Sequence, residues 1–289
     1  MNIFSAKTAL GIGLIFLLCA SFTLFASAQN DSSYSGIVKI KGDGSIEPSD
    51  APIEKDNNVY RLTNSIVGNV TIQIDDITFD GAGYRIEGIE ILDKVTIGLD
   101  VPFRNNVSIT NLKVTNLVNG IRLLNSTNCN IFGNSIIDNI DGLRLDNSTN
   151  NIVWGNNITA NYHGIHPFSG STFYLNNFIG NDEDVRFPIT EYPNVWDDGY
   201  PVGGNYWGNY TGVDQKQGEN QNEVGSDGLG DTPHIIVTSL NSDRYPQMVP
   251  YVYQSPEEPM DEFPLLYVAI IGLVMVGVIA GIIFLRKRS

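Results

Sequence analysis

Cysteine, histidine and positive charge are all scarce in this 289-residue chain. The two cysteines, Cys19 and Cys129, cannot build a disulfide framework. Cys19 falls in an N-terminal apolar segment, so Cys129 has no mate and reads as a small core residue. Leu18 is too large for a lipoprotein cleavage site before Cys19, which argues against a lipid anchor there. Lys and Arg number 17 against 32 Asp and Glu, a net −15. Every acid lies between Asp31 and Glu262, while Lys7, Arg286, Lys287 and Arg288 lie outside that span. The middle therefore carries 13 bases against 32 acids, a net −19. Such a surface repels nucleic acid and anionic lipid, and a nucleic-acid partner is excluded. A 3.6-residue apolar period is also missing, which excludes leucine-rich and helical repeats.

What the chain does have is a repeat. Gly120-Ile121-Arg122-Leu123, Gly142-Leu143-Arg144-Leu145 and Gly164-Ile165-His166-Pro167 follow one another at a 22-residue step. Asp184-Val185-Arg186-Phe187 comes 20 residues later. Asn-rich turns flank each copy: Asn116, Asn139 and Asn161 before, Asn125-Ser126-Thr127 and Asn147-Ser148-Thr149 after. Short strands broken by Asn and Gly cannot bury an apolar face alone, so each copy has to stack on its neighbours. The expectation is a parallel β-helix with one coil per repeat. Ile121, Leu143, Ile165, Leu123 and Leu145 should then point inward, and the residues between them outward.

Taken in order, residues 1–28 read as a signal peptide, with an apolar run after Lys7 and Ala26-Ser27-Ala28 as the cleavage site. Residues 29–100 should form an N-terminal cap and first coils. Gly88-Ile89-Glu90-Ile91 reads as the first entry in the strand column, and Leu99 to Asn106 as an insertion widening that coil. Residues 101–187 hold the repeats. Residues 188–253 carry nine aromatics and read as a cap over the last coil. An acidic linker, 254–264, precedes 21 uncharged residues, 265–285, and the basic tail 286–289. That length spans a bilayer with the basic end inside. The expectation is a single-pass membrane protein with its acidic domain outside.

Seven Asn-x-Ser/Thr sequons stand at Asn30, Asn69, Asn106, Asn125, Asn147, Asn157 and Asn209. They fit an exported glycoprotein; Asn-Ser-Thr is also good turn chemistry, and stacked Asn side chains are a structural device in their own right.

Three stretches carry a family resemblance: Ile40-Lys41-Gly42-Asp43-Gly44-Ser45-Ile46-Glu47-Pro48, the strand into Asp80-Gly81-Ala82-Gly83-Tyr84, and Gly204-Asn205-Tyr206-Trp207 with Asp227-Gly228-Leu229-Gly230-Asp231-Thr232-Pro233 and Tyr245-Pro246. They resemble archaeal surface proteins. The coils are similar to the family named for the periplasmic copper-insertion protein NosD, grouped with carbohydrate-binding and sugar-hydrolysis repeats. The resemblance implies an all-β, right-handed parallel β-helix, here with N- and C-terminal caps and one C-terminal transmembrane helix.

For chemistry, copper(I) wants clustered Met, Cys or His. His163, His166, His234, Met248, Met260 and Cys129 are dispersed, and His163-x-x-His166 should place its rings on opposite sides of a strand. The ligand supply therefore speaks against copper. Asp227 and Asp231, with Asn220, Asn222 and Glu223 upstream, resemble a degenerate loop with hard oxygen ligands for Ca²⁺. Asp138, Asp141 and Asp146 lie near the Arg column without an acid–base pair of carboxylates, which points away from catalysis. The outward residues Arg122, Arg144, His166 and Arg186, headed by Glu90, form a basic column that could be locally paired with Asp146, Asp184 and Glu90, or could grip an anionic glycan. The reading is a non-catalytic cell-envelope module that binds a polysaccharide or a neighbouring surface protein. A polysaccharide lyase or epimerase is the alternative, and an accessory protein of a membrane complex the second.

Overall fold

The computed structural model describes residues 33–88, 96–186, 193–237 and 240–254. The signal segment, nearly all of the linker, the 265–285 segment, the basic tail, Asn30, Glu90 and Phe187 lie outside the described residues. Among the described residues no helix is long and apolar enough to cross a membrane.

The chain winds round three faces. The first stacks Ile66–Ile72, Ile97–Pro102, Asn119–Leu124, Asp141–Asp146, His163–His166 and Glu183–Val185. The second stacks Val59–Leu62, Ile77–Asp80, Val107–Thr110, Asn130–Phe132, Ile152–Trp154 and Thr172–Tyr174. The third stacks Arg85–Glu87, Lys113–Thr115, Ser135–Ile137, Asn157–Thr159, Asn177–Ile179 and Tyr206–Trp207. Each strand pairs in parallel with the one a coil away. This is a parallel β-helix. At its N-terminal end Tyr34–Ile40 joins the first face, and the antiparallel pair Ile53–Asp56 with Val59–Leu62 closes the second.

The core is three apolar columns, one per face. Leu99, Ile121, Leu143, Ile165 and Val185 are in register and buried, as are Val101, Leu123 and Leu145 beside them. At the C-terminal end the columns change from aliphatic to aromatic. Phe173 stacks on Trp196 at 4.6 Å and Phe178 on Trp207 at 4.4 Å, and the two indoles lie 5.9 Å apart. Large flat rings cover the open end of a stack whose next coil does not come.

Buried asparagines tie the corners. Asn134 donates from Nδ2 to Asn156 Oδ1, Asn156 to Asn176 Oδ1 and Asn176 to Asn205 Oδ1, at 2.9 Å each. Asp243 ends the ladder by accepting the Asn205 backbone N–H at 2.6 Å. A second ladder joins Asn139, Asn161 and Asn181. A turn that is buried on every coil needs side-chain partners for its peptide groups, and an amide supplies both donor and acceptor.

Two expectations on the first coils are corrected. Leu99 is no insertion: Gly98-Leu99-Asp100-Val101 lies in register with Gly120-Ile121-Arg122-Leu123, one 22-residue step earlier. Asp100, not Glu90, therefore stands beside Arg122 in the outward column. The glycines recur for a steric reason. A Cβ on Gly120 would sit 2.6 Å from the Gly142 carbonyl oxygen, and one on Gly142 as close to that of Gly164.

Candidate functional site

On the first face the outward column is neutralised from within. Arg122 makes a two-pronged pair with Asp100, both contacts 2.9 Å. Arg144 donates to both oxygens of Asp146 and to Asp141 Oδ2, all at 2.9 Å, and these partners hold its guanidinium pKa above the usual value. Asp141 is itself buried and reaches His163, whose Nδ1 donates to Asp141 Oδ1 at 2.6 Å. Since an arginine can only donate, Arg186 Nη1 donates a hydrogen bond to His163 Nε2, also at 2.6 Å. His163 thus bridges Asp141 and Arg186 with both ring nitrogens engaged. His166 lies beside it, its Nδ1 4.0 Å from Asp141 Oδ2 and without a hydrogen-bond partner. Burial, then the Arg144 charge, pushes its pKa below the usual imidazole value.

The structure brings Arg144, His166 and Arg186 together around Asp141 and His163. The expectation that His163 and His166 face opposite ways is corrected. Strict alternation fails at the glycine column, where Asp141, Gly142 and Leu143 are buried in succession, and so are His163, Gly164 and Ile165. Asp184, proposed as a partner for the column, is bound by Asn181 instead. An anion seeking Arg122 or Arg144 has to displace a carboxylate that is already in place.

Asp227 and Asp231 are not drawn to a common point by any described contact. Asp231 accepts the Gln215 and Lys216 backbone N–H groups, and Asp227 accepts Gly218, Leu229 and the Gln221 amide. These are the contacts of loop-capping carboxylates. Of the described sequon asparagines, Asn106, Asn147, Asn157 and Asn209 are exposed, and Asn69 and Asn125 are half-buried.

The second face holds what sequence reasoning missed. One outward column runs Arg61, Asp80, Thr110, Phe132, Trp154, Tyr174, each in register with the next. The last three rings stack in parallel, at 5.2 and 6.0 Å with 8° between planes. Tyr253 then closes edge-on against Phe132 and Trp154 at 6.0 and 5.6 Å. It comes from a strap that returns along the coils, pinned where Asn177 exchanges two 2.8 Å hydrogen bonds with the Tyr251 backbone. Above Phe132 the stack stops, because the next coil offers Thr110. The step from ring to hydroxyl opens a cleft of about 770 Å³. Phe132 and Tyr253 wall one end, and the Arg61–Asp80 ion pair (3.0 Å) the other, with Thr110, Asn111, Lys113 and Ser135 between. Thr110 Oγ1 is buried and has no partner. The signal was in the sequence: Phe132, Trp154 and Tyr174 keep the same 22- and 20-residue steps as the glycine column.

A family described as periplasmic copper-binding protein (NosD) matches residues 35–212. No curated protein and no solved structure matches. Among the described residues the donors do not converge on a copper ligand set. Both nitrogens of His163 are committed and a guanidinium adjoins it. The buried Cys129 thiol is pushed up to about 11 by desolvation, and His234 is stacked on Trp207. No group of three or more His, Cys, Asp or Glu with metal-holding geometry occurs among the described residues. What the match and the structure share is the coil itself, across well over half of the chain, and by that measure the chain belongs to the NosD family of parallel β-helix proteins.

Proposed function

We propose that this protein is an extracytoplasmic β-helix, tethered to the membrane by residues 265–285, that binds cell-envelope glycan without turning it over. The observation that carries this reading is the interrupted aromatic column. A sugar ring laid on Phe132 would continue the stack at the next coil and bury its apolar face, while its hydroxyls meet Asn111 and Asp80. A concave site with a flat apolar wall and a few fixed polar groups is what small-ligand recognition asks for. Asp80 is rigid enough to serve, since Arg61, the Ala82 backbone N–H and Asn111 all hold its carboxylate. The family's periplasmic description supports the location, and the uncharged 265–285 segment supports the tether.

The test is to fill the gap. Thr110→Phe extends the ring column by one rung at a nearly buried position, so a thermal melt is taken first to show that the variant is folded. Binding in a glycan array on full-length protein in detergent should fall at least tenfold for every glycan that the wild type retains. Undiminished binding by the variant would remove the cleft from the reading.

A further inference from the structure

The cleft sets an uncompensated positive charge beside an aromatic ring. Seven of the twelve described cations on this acidic domain pair with a carboxylate. Lys41 pairs with Glu47, Arg85 with Glu87, Arg104 with Asp75, Arg122 with Asp100, Arg144 with Asp141 and Asp146, and Arg244 with Asp197. Arg61 is held by Asp80 within the cleft itself. Lys113, on the cleft wall, is exposed and has no carboxylate partner among the described residues. The three charged side chains of the cleft thus leave one uncompensated positive charge, beside an orphaned buried hydroxyl and an aromatic ring.

Resting on the glycan reading above, we infer that the cleft selects acidic sugars, with a uronate ring on Phe132 and its carboxylate on the Lys113 ammonium. The geometry divides the ligand into parts. The ring face takes the apolar side of the sugar, and the Asn111 amide on the cleft wall takes a ring hydroxyl. The Lys113 chain starts on the third face, one position beyond Leu112 at the corner, and its flexible stem lets the charge follow the carboxylate. The domain's net −19 works against this contact at long range, so an acidic glycan binds only where a local cation outweighs the field and a ring stands beside it. Arg61 adds a second donor edge at the far wall without a second free charge, because Asp80 already neutralises it. A methyl ester of the same sugar keeps ring, hydroxyls and shape and loses only the charge.

That substitution defines the experiment. Full-length protein in detergent is titrated by calorimetry with short oligomers of glucuronate, galacturonate and mannuronate, and with their methyl esters. The expected result is that at least one acid binds about tenfold more tightly than its own ester, the size of one charge-assisted hydrogen bond. The preference should shrink with added salt. Lys113→Met should bring the acid-to-ester ratio close to one. Lys39→Met, which removes another unpaired lysine far from the cleft, should leave the ratio as it is in the wild type. Acid and ester binding alike in the wild type would overturn the charge selection and leave the glycan reading standing. A ratio untouched by Lys113→Met would overturn it equally. Binding of neither form would overturn both.

Discussion

Asn156 uses every hydrogen-bonding atom of its amide. Nδ2 donates to the Ile131 and Trp154 carbonyls and to Asn176 Oδ1, and Oδ1 accepts from the backbone and side-chain N–H groups of Asn134. Asn157, the next residue and the head of a sequon, is exposed and accepts one bond from Asn177. The two asparagines read alike in the sequence and differ in what their removal leaves behind. Asn156→Ala strands buried carbonyls and amides on three coils and should cost about 3 kcal/mol in chemical denaturation. Asn157→Ala leaves its partner to water and should stay within about 0.5 kcal/mol. Equal effects would mean that the ladder is incidental. The same contrast explains why the sequence made the turns visible but not their roles. Inward and outward asparagines share one composition, and only the corner geometry of the coil tells them apart.

The C-terminal cap is held at one carboxylate. Asp243 accepts the Asn205 and Tyr245 backbone N–H groups and the Trp207 indole N–H, at 2.6, 3.1 and 2.9 Å. Burial outweighs these donors and pushes its carboxyl up to about 7, against an ordinary value of 3.8. A carboxyl with a raised pKa in the folded state binds its proton more tightly there than in the unfolded chain. Its contribution is therefore fully present below pH 4 and is lost as pH rises through about 7. Urea midpoints at pH 5 and 7.5, compared between wild type and Asp243→Asn, should show a decline with pH that the variant lacks. Asn at this position also turns an amide N–H toward a donor, so the variant should be the less stable protein at pH 5. Cap and coils differed in how far they could be read beforehand. Glycine spacing exposed the first-face register from Gly120 onward, because Gly, an aliphatic and a base recur together. It failed one coil earlier, where Asp100 takes the place of the base and breaks the likeness while keeping the 22-residue step. The cleft escaped notice because it is defined by what a rung lacks. Thr110 is unremarkable until the second-face register sets it above Phe132.

At the scale of the whole molecule, the coils form a one-dimensional stack in which each layer contacts mainly the layers on either side. Leu143 has neighbours in register on both sides, Ile121 and Ile165, and none of the three is exposed. Leu143→Asp buries an unpaired charge at a cost of several kcal/mol, and it should melt the coils around it together, seen as loss of hydrogen-exchange protection over 119–166 in one step. Retention of the native melting curve would contradict the stacking register. Removal of the chain from Leu265 onward should release the domain from membranes into the medium, and a truncated form that stays membrane-bound would show that the N-terminal apolar segment also anchors. The strap gives the proposed tether a mechanical character. Tyr251 is fastened at the Asn177 coil and Tyr253 lies against the Phe132 and Trp154 coils, so the chain heads back toward the N-terminal layers before it leaves the domain. Under the proposed tether, force applied through the C-terminus would enter at the flank and not at the tip. It would strip the strap rung by rung, peeling Tyr253 away first and the Asn177 pair next, while the stacked layers stay unstrained. A pulling experiment through the C-terminus should thus show a small first extension at low force, well ahead of the rupture of the coils, and Asn177→Ala should lower that first event alone.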